Sequence, residues 1–304
     1  MSPVILAGPT AVGKTAVAIE LARLLNGEIV SVDSMQVYRG LDIGTAKPSQ
    51  EERQSVPHHL IDFVNLDQGF DAAKFVESVG PILTEIEARG RLAILCGGTG
   101  LYFNAWLNGL GTSPAPDPAL RAELEALPLA ELLDELARKD LVTFDQIDVE
   151  NRRRVVRAVE VIRLTGKPFS GQRATWPERA PALAGRSFGL RRSREDLHRR
   201  IGRRVEAMFR AGLIEETRQL MKQGLLGNRT AQQAIGYRQV QEHLAGERGK
   251  LETIELVTTK TRQFSKRQFT WFENQMDLEW IDMAVEESPK NTAERIASVI
   301  SRVG

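Results

Sequence analysis

The chain has 304 residues, 42% of them apolar and 27% charged, with a formal net charge of +1. This balance excludes a disordered or fibrous chain and suits one large core or two domains. The longest apolar runs, such as Leu92-Ala-Ile-Leu-Cys96, are strand-sized and far short of the roughly 20 residues of a membrane helix, so no membrane span is expected.

At the start, Met1-Ser-Pro runs straight into an apolar segment and a glycine loop, without the basic start and small-residue cleavage site of a secretory signal, which predicts a cytoplasmic protein. Val4-Ile-Leu-Ala7 reads as a strand, and residues 15–25 carry apolar side chains at helical spacing. Glu28-Ile-Val-Ser-Val32 is a second strand, residues 72–89 a helix, and Leu92-Ala-Ile-Leu-Cys96 a strand ending in glycines. Strands that run apolar without alternating imply a parallel sheet covered on both faces, with ligands at its C-terminal ends. Cys96, the single cysteine, sits inside such a run, so it reads as a small buried hydrophobe, and one chain can form neither a disulfide nor a zinc cluster.

After Gly109 the texture changes. A proline-rich break over 111–118 leads into helical patterns at 120–138 and 151–165, and the insertion closes over 176–185 before Ser187-Phe-Gly-Leu190 returns as a strand. From Leu197 onward the chain reads as helices, with Gly212, Gly224, Gly227 and Gly246 as stops. The expected class is α/β: a P-loop NTPase-like parallel sheet flanked by helices, built from 1–112 and 186–304, with an all-α insertion domain at 113–185.

Charge segregates along the chain. Residues 117–150 hold ten acids and three bases, whereas 151–173 hold seven Lys/Arg against Glu160 alone, and 186–210 hold nine bases and three acids. Lys260, Arg262, Lys266 and Arg267 form a further run with no acid between them. Separated basic runs suit a polyanionic partner, and solvated helix faces are the plain alternative.

Gly8-Pro-Thr-Ala-Val-Gly13-Lys14-Thr15 satisfies G-x-x-x-x-G-K-[ST] between a strand and a helix. Glycines let the backbone turn its N–H groups toward phosphate oxygens, the helix adds its positive end, Lys14 supplies a charge, and the Thr15 hydroxyl would hold Mg²⁺. The loop identifies a di- or triphosphate, not a reaction. Asp33, at the end of the second strand, either serves as a general base at the same rim or caps the turn before Met35. Thr99, in Gly97-Gly-Thr-Gly100, offers its hydroxyl to a ligand or caps the helix from Leu101; on pattern alone capping is favoured.

These residues lie in longer blocks: Asp33-Ser-Met-Gln-Val-Tyr-Arg-Gly-Leu-Asp-Ile-Gly-Thr-Ala-Lys-Pro48, His58-His-Leu-Ile-Asp62, Gly97-Gly-Thr-Gly-Leu-Tyr102, Arg154-Val-Val-Arg-Ala-Val-Glu160, Ile235-Gly-Tyr-Arg-Gln239 and Lys266-Arg-Gln-Phe-Thr-Trp271. With the P-loop they make the chain resemble, over nearly its whole length, the tRNA dimethylallyltransferase (tRNA isopentenyltransferase) family in its bacterial form. The resemblance implies transfer of a dimethylallyl group from dimethylallyl diphosphate to N6 of the adenine just 3′ of the anticodon, position 37, assisted by Mg²⁺. It implies Asp33 as the base and Thr99 as the residue that orients the reacting region. Gly8, Pro9, Thr10, Ala11, Val12, Gly13, Lys14 and Thr15 would hold the diphosphate, with Arg204 as an added arginine. Contacts to tRNA would come from Asp33, Ser34, Met35, Gln36, Arg121, Arg154, Arg157, Ala158, Val159, Glu160, Val161, Gln233, Gly236, Tyr237 and Arg238. The insertion would grip the anticodon stem-loop, and the expected protein is a monomer. With one cysteine, the zinc-finger tail of some eukaryotic relatives is not expected.

The chemistry accounts for these residue types on its own terms. An exocyclic adenine amine is a weak nucleophile and allylic ionisation leaves diphosphate behind, so one rim must supply both cations for the leaving group and a carboxylate for the amine proton. The adenine must also leave its stack, at a few kcal/mol. A small-molecule kinase would use the same cradle for ATP but has no need of the basic runs or of so large a helical insertion. A non-catalytic RNA-binding module explains the basic runs but not Asp33 and Thr99 beside the cradle. A relative that prenylates free adenine nucleotides has no use for a basic insertion.

Overall fold

The computed structural model describes residues 2–174, 176–177, 183 and 185–303. The described strands are β1 (Val4–Ala7), β2 (Gly27–Val32), β3 (His58–His59), β4 (Leu92–Gly97), β5 (Ser187–Arg191) and β6 (Glu279–Asp282). They form one sheet in the order β3-β2-β4-β1-β5-β6, every neighbouring pair parallel. All residues of β1, β2 and β4 are buried, in keeping with the apolar runs of β1 and β4, while β2 also buries Glu28 and Ser31. Successive side chains still alternate between faces: Ile5 and Ala7 belong to one core, Val4 and Leu6 to the other.

The helices in chain order are α1 (Lys14–Leu25), α2 (Gln50–Ser55), α3 (Ala72–Ala88), α4 (Gly100–Asn108), α5 (Pro118–Ala126), α6 (Leu129–Lys139), α7 (Leu141–Gln146), α8 (Arg152–Thr165), α9 (Arg194–Arg210), α10 (Leu213–Lys222), α11 (Tyr237–Leu244), α12 (Lys250–Gln275) and α13 (Pro289–Val303). On one face of the sheet, Val17, Ala18 and Leu21 of α1 pack with Ala293, Ile296 and Ile300 of α13. On the other, Phe75 and Val79 of α3, Phe103 of α4, Ile201 and Val205 of α9, and Val257 and Phe272 of α12 share a second core. Sheet covered by helices on both faces is the α/β architecture that the sequence predicts.

The chain divides into two compact units, Met1–Leu107 with Glu178–Gly304, and Asn108–Pro177. The smaller unit is helical and has its own core, in which Leu124, Leu132 and Leu136 meet Val155, Val156, Ala158, Val159 and Ile162.

Two local expectations are corrected. The helical pattern at 120–138 breaks at Leu127-Pro128, where Asp117 caps α5 and Pro128 precedes α6, because proline disfavours a helical residue before it. The stretch after Leu197 is not wholly helical: β6 pairs with β5, Phe188 opposite Glu279 through Arg191 opposite Asp282. The two residues of β3, a strand that the sequence does not announce, flank β2 at the other edge. Edge strands this short carry too little periodicity to be read. Among the described residues no helix is long and apolar enough to cross a membrane.

Candidate active site

The sheet register builds the site. Ala7 and Val32 both pair with Gly97, so β1, β2 and β4 end in one row and residues 8, 33 and 98 leave the sheet side by side. At Gly8 the backbone has φ 146°, and a Cβ there would stand 2.8 Å from the Leu190 carbonyl of β5, so only glycine fits. The turn delivers Gly13 and Lys14 to the start of α1. The Lys14 ammonium donates to the Gly8 and Pro9 carbonyls, both at 2.9 Å.

Neighbouring elements brace this loop. Arg192 Nε donates to Val12 O at 2.9 Å and Arg200 Nε to Ala11 O at 2.8 Å. Gln268 of α12 accepts from Thr10 N at 2.8 Å and donates to Gly98 O at 2.9 Å, so one amide ties two rim loops together. Ser265, one turn earlier, donates to Thr10 O at 3.3 Å.

In front of the loop lies a cavity of about 470 Å³ lined by Lys14, Thr15, Asp33, Gln36, residues 45–48, Cys96 and three arginines, Arg200, Arg203 and Arg204. Burial lowers the Lys14 ammonium from 10.5 to about 8, against the attraction of Cys96 and Asp33. Burial likewise lowers the Arg204 guanidinium, and the Asp33 charge opposes it. The Cys96 thiol is pushed up to about 12 by burial, which makes it the inert buried residue the sequence suggests.

Asp33 fulfils the capping reading with one oxygen: Oδ1 accepts from Met35 N at 2.8 Å and Gln36 N at 3.1 Å. Among the described residues Oδ2 takes no hydrogen bond, and the residue lines the cavity. Thr99 corrects its capping reading. Its Oγ1 accepts from Ser34 N at 3.1 Å, so the hydroxyl clasps the turn after β2 instead of a helix amide.

The residues assigned to tRNA fall into two groups. Arg154 and Arg238 are exposed and Gln233 half-buried, as are Ser34, Met35 and Gln36. Ala158, Val159, Glu160 and Val161 are buried in the smaller unit, so their side chains support the helix and cannot reach a partner in this arrangement. Glu160 takes Arg121 Nη2 at 2.5 Å, Arg157 Nη1 at 2.6 Å and Asp117 N at 3.1 Å. Gly236 and Tyr237 are also buried, and the Tyr237 hydroxyl donates to Glu216 Oε1 at 2.6 Å.

The family model for IPP transferase matches residues 36–275. The chain belongs to the IPP transferase family. Among relatives, it is 44% identical to the tRNA dimethylallyltransferase of Geobacter metallireducens, covering 92% of each chain. It is 42% identical to tRNA dimethylallyltransferase 2 of Geotalea uraniireducens, covering 92% of this chain and 91% of the relative. Its fold is similar to the crystal structure of a tRNA isopentenylpyrophosphate transferase from Bacillus halodurans, with a TM-score of 0.71 and 39% identity over 99% of this chain and 96% of that one. A eukaryotic dimethylallyltransferase acting on tRNA matches with a TM-score of 0.80 at 25% identity, over 99% of this chain and 79% of that one.

In this IPP transferase the matched segment begins beyond the P-loop and Asp33 and includes Thr99, Arg204 and Gln268. Sequence reasoning overlooks Arg192, Arg200, Ser265 and Gln268 as supports of the P-loop. Gln268 stands in a quoted block, yet nothing in its spacing points to a partner 258 residues away.

Proposed function

We propose that this IPP transferase moves a dimethylallyl group from dimethylallyl diphosphate to N6 of the adenine just 3′ of the anticodon of tRNA. The observation that carries the reading is the Asp33 carboxylate, fixed through a single oxygen, in the same cavity as Lys14, Thr15 and three arginines. A kinase needs that cationic lining as well, so the membership of a family whose named relatives are tRNA dimethylallyltransferases decides the class of transfer.

The loop amides, Lys14 and the arginines bind the diphosphate and favour the charge that grows on it as the allylic C1–O bond breaks. N6 forms its bond to C1, and its proton passes to Asp33. Thr99, by holding Ser34 N, keeps the turn that carries Asp33 in place. The Thr15 hydroxyl in this cavity is a hard oxygen donor of the kind Mg²⁺ accepts alongside substrate phosphates and water. The Thr15 hydroxyl would hold Mg²⁺, which would supply charge neutralisation on the leaving group.

Incubation with radiolabelled dimethylallyl diphosphate, Mg²⁺ and unmodified tRNA should place label on one adenine beside the anticodon. Parallel reactions with γ-labelled ATP in place of the donor should show no turnover. Label transfer from ATP, with none from the allylic donor, would overturn the reading.

A further inference from the structure

The segment Asp42-Ile-Gly-Thr-Ala-Lys-Pro48 forms part of the cavity wall, through residues 45–48. Its carbonyl at Thr45 is a junction: Arg204 Nη2 donates to it at 3.1 Å and Gln36 Nε2 at 3.2 Å. Among the described residues that is the hydrogen bond holding the Arg204 guanidinium. The backbone at Ala46 is in the left-handed region, φ 48°, a conformation a non-glycine residue keeps only when its surroundings impose it.

Outside the cavity the same segment is gripped by one carboxylate. Glu216, in the first turn of α10, accepts from Ile43 N at 2.9 Å and 3.0 Å and from Gly44 N at 3.3 Å. The phenol of Tyr237 donates to Glu216 at 2.6 Å and accepts from Gly44 N at 3.1 Å, closing a ring of bonds. The fit leaves no slack, since a Cβ on Gly44 would lie 2.4 Å from the Tyr237 ring. Tyr237 is fully buried and so cannot serve as a surface contact. Burial and the Glu216 charge both raise its pKa, so it stays a donor.

We propose that Glu216, with Tyr237, is a positioning residue for the donor site: it fixes the backbone of Ile43 and Gly44, hence the Thr45 carbonyl, hence the direction of Arg204 toward the diphosphate. The inference rests on the diphosphate reading of the cavity but not on what accepts the prenyl group. Glu216 itself reaches no substrate. Charge-assisted bonds to backbone amides are the strong kind, and losing the charge loosens the wall without emptying the space.

The test uses the full chain and inorganic pyrophosphate with Mg²⁺ as probe. Glu216→Gln and Tyr237→Phe should each weaken pyrophosphate binding by about tenfold and raise the KM for dimethylallyl diphosphate to match, with the KM for tRNA within about twofold. The deciding measurement is a double-mutant cycle. In an Arg204→Ala background, Glu216→Gln should weaken pyrophosphate binding no further, because its effect runs through Arg204. Additive losses in the double variant, or wild-type pyrophosphate affinity in both single variants, would overturn the proposal. Tyr237→Phe, which keeps the ring against Gly44, covers the case in which Glu216→Gln fails to fold. Pyrophosphate binding that follows this pattern in a protein that does not prenylate tRNA would defeat the proposed function and leave the positioning role standing.

Discussion

Asp33 divides its two oxygens between structure and chemistry. Asn keeps an Oδ1 that accepts from Met35 N and Gln36 N, but it cannot take a proton. Asp33→Asn should therefore retain the melting temperature and tRNA affinity while transfer falls by about 10²- to 10⁴-fold in single-turnover assays. Lys14 gives a pH dependence. Its ammonium, lowered to about 8, is cationic below that pH and neutral above it, so the KM for the diphosphate donor should climb as pH rises through about 8 while tRNA affinity does not. The stability effect has the opposite sense. The unfolded chain holds that proton up to about 10.5, so between these values the unfolded state binds more protons and this group's contribution to stability rises with pH.

At the scale of the element, α12 is the brace of the site. Thr253, Val257, Thr261, Ser265, Gln268 and Phe272 form its buried stripe, and the threonine hydroxyls are satisfied by carbonyls one turn back, Gly249 O and Val257 O. Lys260, Arg262, Lys266 and Arg267 occupy the exposed side, so that basic run is a solvated helix face in the protein by itself. Gln268→Ala leaves Thr10 N and Gly98 O without their partner, and urea unfolding should register a loss of about 1–3 kcal/mol. Gly100 presses so close to α12 that a Cβ would lie 2.1 Å from the Trp271 ring, which makes the glycine a packing requirement at the start of α4. Gly100→Ala should lower stability by about 1–3 kcal/mol in the same measurement.

Over the whole molecule, the charge runs in the sequence resolve into bound and free arginines. In the smaller unit, Arg157 and Arg121 turn to Glu160, Arg163 to Glu135 and Glu123, and Arg152 to the carbonyls that end α5. Arg154 is exposed, and among the described residues its guanidinium has no such partner. Arg154→Ala should weaken tRNA binding and reduce the slope of log K against log salt by about 1, with stability unchanged. Glu160→Leu should leave two half-buried arginines, Arg121 and Arg157, without their carboxylate and destabilise the unit by about 1–3 kcal/mol, visible in thermal unfolding before any RNA is added.

The sequence by itself determined the features that depend on near neighbours in the chain. The P-loop lies between β1 and α1 because a phosphate cradle needs its glycines, lysine and threonine at fixed offsets. The parallel sheet shows in the apolar runs of β1 and β4 and in the short Ile29-Val30 centre of β2, and the strand at Ser187 shows as a short segment around Phe188 and Leu190. Tertiary structure alone decided whatever depends on partners distant in the chain. Gln268 reaches Thr10, Glu216 reaches Ile43 and Gly44, and Arg204 reaches Thr45, across separations that local periodicity does not encode. Burial follows the same division: a run of arginines looks alike in sequence whether its members meet water or a buried glutamate, and only packing assigns each one its surroundings.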